Sequence, residues 1–120
     1  MPAGFTFVDG VSLLVGAADD PKAPCGLARD FKIGGRVDPG TDQGNGTWAI
    51  SGCFYSRGNE LWNPQVILIF PRDDDRPERE IVAIAAPLHV AKDHREVTFG
   101  TTLRRSSAIG MRAYLVTYLR

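Results

Sequence analysis

Two apolar segments joined by one short polar loop limit what this chain can fold into: TWAISGCFYS at 47–56 and PQVILIFP at 64–71. The first alternates with a period of two, with Trp48, Ile50, Gly52 and Phe54 on one side and Thr47, Ala49, Ser51, Cys53 and Tyr55 on the other. The second is an unbroken apolar run ended by Pro71, which has no N–H to give to a ladder. A half-buried strand followed by a strand covered on both faces has this pattern. No window elsewhere keeps the i, i+3, i+4, i+7 repeat of a helix, and 13 glycines and 8 prolines interrupt every candidate.

The rest of the chain reads as further short strands. Phe5 to Val8 and Val11 to Val15 flank Asp9-Gly10, the composition of a two-residue hairpin turn. An alternating stretch ends at Val37, with Gly34-Gly35 marking a bend, and Asp38 to Gly46 is almost entirely turn chemistry. Ile81 to Leu88, Glu96 to Leu103 and Met111 to Leu119 complete the set. Seven or eight strands at intervals of roughly 10–15 residues define an all-β chain. The expectation is one domain over 1–120, an antiparallel two-sheet β-sandwich, with a small closed β-barrel as the second architecture.

Charge removes several function classes. With 14 basic and 14 acidic residues the formal net charge is zero, so the general attraction behind nucleic-acid binding and polybasic membrane docking is missing. No apolar run reaches the roughly 18 residues of a bilayer span. The apolar run 11–18 follows Asp9 rather than a basic region, a poor secretory leader, which places the chain in the cytoplasm. In that compartment Cys25 and Cys53 are expected as free thiols. Three lysines against eleven arginines suit a GC-rich bacterial genome.

The residues that could carry chemistry are few. Trp62, with Asn59 in the same polar loop and Tyr55 before it, could hold a small ligand by ring stacking, although an indole there is more simply a cap on the core. Tyr114 and Tyr118 make an aromatic stripe on the last strand, suited to an interface or to a second core face. Asp73, Asp74 and Asp75 supply hard oxygens for calcium, together with Asp19 and Asp20 if the two loops meet, but Arg72, Arg76 and Arg79 bracket them. Calcium is the one cofactor these residues suggest. His89, Asp93 and His94 could form an acid–base site only if they converged with a nucleophile or a metal.

Three functions follow in order. The first is a non-catalytic binding or assembly module contacting another protein or a copy of itself. The second is a carbohydrate or calcium-assisted ligand site built from Trp62, Asp73 to Asp75 and the 38–46 loop. The third is an enzyme with a His/Asp site. Absence of a convergent set of titratable groups favours the first.

Overall fold

The computed structural model describes residues 3–16, 25, 32–74, 76–92, 96–105 and 108–120. It contains eight strands, and no helix occurs among the described residues. They are β1 (Thr6–Val15), β2 (Ile33–Asp42), β3 (Trp48–Ser56), β4 (Leu61–Phe70), β5 (Glu80–Ala85), β6 (His89–Val90), β7 (Val97–Leu103) and β8 (Arg112–Leu119). All join one sheet in the order β5-β4-β8-β1-β2-β3-β7, with the short β6 on β4 below β5. The sheet curls until its two ends approach, giving a nearly closed barrel rather than the two-sheet sandwich expected from strand spacing. Nor is it wholly antiparallel: β1 and β2 run parallel, with Leu14 opposite Arg36 and Val15 opposite Val37.

Three turn-like dipeptides explain the difference. Asp9-Gly10 does not reverse the chain. It lies within β1, where the register on β8 slips between Asp9 and Val11 and Gly10 takes a φ of 108°. Pro39-Gly40 falls inside β2, where the register on β3 slips between Asp38 and Thr41. Asn63-Pro64 falls inside β4, with Asn63 at φ 50° and a slip on β8 between Trp62 and Gln65. Asparagine tolerates this left-handed region better than most side chains. Each slip is a β-bulge, which bends a strand and increases its twist without ending it. Three bulges carry one sheet round on itself where three turns would have started new strands.

The barrel interior is packed with side chains. Val37, Ile50, Phe54, Leu61, Val66, Leu68, Phe70 and Leu115 form its centre and are almost wholly removed from solvent. On β4 Leu61, Pro64, Val66, Leu68 and Phe70 are buried, while Gln65, Ile67 and Ile69 face outward and are half-buried. The expected two-sided burial of this run therefore does not occur. Trp48 is also only half-buried, its indole Nε1 donating to the Pro39 carbonyl at 2.6 Å. Gly52 is required by close approach, since a Cβ there would meet the Arg36 carbonyl and lie 2.6 Å from the Phe99 ring.

Cys25 and Cys53 form a disulfide with Cα atoms 5.9 Å apart, which overturns the expectation of free thiols. The bond ties the β1–β2 connection to β3. Cys53 and Tyr55 point away from the barrel interior and are buried with Cys25 in a small cluster of their own.

No ladder joins β5 to β7, and an ionic clasp spans that gap at one end. Arg105, just after β7, has its side chain only 4% exposed and its guanidinium 4.0 Å from the Phe70 ring centroid. It reaches Glu80, the first residue of β5, at 2.8 Å, and Asp73 at 3.8 Å. Arg76 adds a 2.7 Å bond to the same Glu80 carboxylate and donates to the Arg104 carbonyl.

Candidate functional site: the outer face of β5-β4-β8-β1

The strand registers fix which side chains share the outside of the barrel. Trp62 on β4 lies opposite Tyr118 on β8, which lies opposite Phe7 on β1. The Phe7 and Tyr118 rings pack at 5.1 Å between centroids. One row along, Gln65 faces Val116, which faces Asp9; in the next, Ile67 faces Tyr114, which faces Ser12. Ile81, Ile69 and Arg112 form the last row. Such cross-strand neighbours on one face are the contacts that stabilise a sheet, and here they join into one largely apolar face interrupted by Gln65, Asp9, Ser12 and Arg112. Phe7 remains 52% exposed and Ile81 59%.

Trp62 therefore lies in a strand and not in a loop, because the Asn63-Pro64 bulge allows β4 to begin at Leu61. Thr117, buried beneath it, holds the bulge by donating its hydroxyl to the Trp62 carbonyl at 3.1 Å. Tyr114 and Tyr118 fall on the same face as Trp62, so residues considered separately for ligand and interface roles form one surface. Tyr55 does not join them. It is 3% exposed beside the disulfide, with Arg57 stacked 5.3 Å from its ring centroid. Asn59 stays in the loop before β4, where its carbonyl accepts the Ser56 hydroxyl.

An ionic margin borders the aromatic row. Glu60 accepts from Arg120 through both carboxylate oxygens, at 2.9 and 3.0 Å, and meets His89 Nε2 at 3.0 Å. His89 itself pairs with Trp62 across the β4–β6 ladder. The hydrogen bonds from His89 and then Arg120 hold the Glu60 carboxyl below its usual range. Sequence reasoning missed this trio, because its members are separated by 29 and 31 residues along the chain.

The aspartate loop lies elsewhere. Strand directions put Asp73 at the Phe70 end of β4 and Trp62 at the other end, near the Leu61 terminus. The loop at 43–47 is likewise at the far end from Trp62, so the composite ligand site expected from the sequence is not assembled. Asp73 is engaged by the Arg76 backbone N–H at 2.6 Å and by Arg105, and Asp74 is exposed. Asp75 lies outside the described residues, as do Asp19, Asp20, Asp93 and His94. Among the described residues one group of three potential metal ligands converges, Cys25, Cys53 and Glu96, and two of these are joined in the disulfide. A small cleft of about 270 Å³ opens on the other side of the barrel, between Arg36, Asp38, Ser51 and Thr98.

Searches of protein-family models, of curated proteins and of solved structures each return no match for this chain. Among the described residues no helix is long and apolar enough to cross a membrane.

Proposed function

We propose that the protein is a non-catalytic assembly module that contacts protein through the outer face of β5-β4-β8-β1. One observation carries this reading: Trp62, Tyr114, Tyr118 and Phe7 share a face with Ile67, Ile69, Val116 and Ile81, outside a barrel whose core is already filled. A broad, largely apolar outer face of this kind marks an interaction surface, and tyrosine and tryptophan are among the residues that most often anchor one. The disulfide favours an oxidising compartment over the cytoplasm that the N-terminal sequence suggests.

The test is a size measurement on wild type and Val116→Glu, alone and in an extract of cells that make the protein. Val116 points outward, so the substitution leaves the core in place, which a thermal melt verifies. Wild type is expected above monomer mass in at least one setting, and Val116→Glu at monomer mass in both. Equal masses for the two proteins in both settings would remove the reading.

A further inference from the structure

We infer that the partner on this face is a second copy of the same chain, related by a twofold axis. This rests on the face being a protein-contact surface and adds what it contacts. Charge complementarity selects this partner. Asp9 and Arg112 both project from the face, both are exposed, and neither side chain makes an ion pair or hydrogen bond among the described residues. They stand on opposite sides of the row Ala83, Ile67, Tyr114, Ser12: Asp9 in the row of Val116, Arg112 in the row of Ile69. Those rows are four residues apart along β8, about 13 Å at a strand rise of about 3.3 Å per residue. Within one copy the two charges are out of each other's reach.

Between two copies they are not. A twofold axis lying along the middle row interchanges the rows on either side. Arg112 of one copy then sits over Val116 of the other, one strand spacing of about 4.8 Å from its Asp9. A guanidinium on its flexible stem spans that offset. Symmetry makes the contact twice, as an isologous interface requires.

The remaining charges agree with a self-complementary surface. Glu60 pairs with Arg120 at the margin, and within the rows Asp9 is matched by Arg112, so neither sign dominates, as in the chain as a whole. A surface made for an acidic or basic partner would carry a net sign. The axis sets three of the four outward rows over one another: four strands about 4.8 Å apart and three rows about 6.7 Å apart cover on the order of 400 Å² in plan, and the Trp62–Tyr118–Phe7 row extends beyond that overlap. A face studded with side chains exposes more than its plan area, which brings it towards the about 800 Å² per partner of a standard interface.

The experiment is light scattering over a concentration series on the oxidised protein, with wild type, Asp9→Arg, Arg112→Asp, the double swap, and an equimolar mixture of the two single variants. Wild type is expected as a dimer. Each single substitution sets like charges together at both symmetric contacts and should weaken the dimer about tenfold or more. The mixture and the double swap should both recover it, because each again sets acid against base. Thermal melts report whether every variant is folded. A wild type that stays monomeric at all concentrations overturns the proposal, as does a dimer indifferent to both single substitutions. A purified monomer that gains mass only in cell extract would overturn the twofold pairing and leave the contact face standing.

Discussion

Breaking the Cys25–Cys53 bond should cost this protein a large share of its stability, and the size of the loss follows from the chain. The two cysteines are 28 residues apart, so the bond closes a long loop in the denatured state. The chain-entropy relation gives about 12 cal/mol/K for a loop of that length, about 3.6 kcal/mol at 25 °C. Total stabilities of single domains are about 5–15 kcal/mol, so the bond supplies a substantial fraction. At about 4 °C per kcal/mol for a chain of this length, reduction should lower Tm by about 14 °C. The assay is urea denaturation of the oxidised protein, of the same protein in a phosphine reductant, and of Cys25→Ala/Cys53→Ala. Reduction isolates the cross-link. The double alanine variant adds the packing lost beside Tyr55, should be somewhat less stable than the reduced protein, and should be indifferent to reductant. Because the cross-link acts on the unfolded ensemble, the denaturant slope should rise on reduction as that ensemble expands. A change below about 0.5 kcal/mol on reduction, with an unaltered slope, would show that the bond does not restrict the unfolded chain, since it is well below the loop-entropy figure.

The arginine clasp and the ionic margin give two further expectations. Arg105→Ala removes a buried guanidinium from Phe70, Glu80 and Asp73, and should cost about 2 kcal/mol by thermal melt. That is less than a fully buried pair would cost, since Glu80 and Asp73 are 36% and 39% exposed at the side chain and water screens them. Arg105→Met, which keeps part of the packing over Phe70, should recover part of the loss. Glu60 has its folded pKa lowered from 4.5 by His89 and Arg120. Its contribution is therefore complete above the unfolded value and disappears as pH falls through the folded one. Stability of Glu60→Gln, measured by denaturation between about pH 6 and pH 2, should fall less steeply over that acid limb than wild type.

The separate roles of local and tertiary information are visible in particular residues. Period-2 alternation at Trp48 to Ser56 and Arg112 to Leu119 is a property of the strand itself, and both strands were legible from it. The Gln65 to Phe70 run was legible as a strand, but its apolar outer positions hid which side is core. Ile67 and Ile69 resemble Val66 and Leu68 in sequence and differ only in what the barrel places over them. The aromatic outer face could not be assembled from sequence, because Phe7, Trp62 and Tyr118 become neighbours only through the β1–β8 and β4–β8 registers. The disulfide was hidden for the same reason: two cysteines permit a bond, but only the path between β1 and β3 sets their Cα atoms 5.9 Å apart.

By itself, then, the sequence determined strand content and marked turn chemistry at Asp9-Gly10 and along 38–46, whereas the departure at Asn63-Pro64 emerged only from the β4–β8 register. Only the tertiary structure decided what those departures do. A residue that accepts positive φ, or gives up its N–H, suits a turn and a bulge equally well. Which one forms depends on whether the next segment can stay on the same neighbouring strand. At β1, β2 and β4 it can, since β8, β3 and β8 again continue the ladder beyond each slip. The chain therefore bends instead of reversing, and one curved sheet closes towards a barrel where local turn chemistry alone would have made a sandwich.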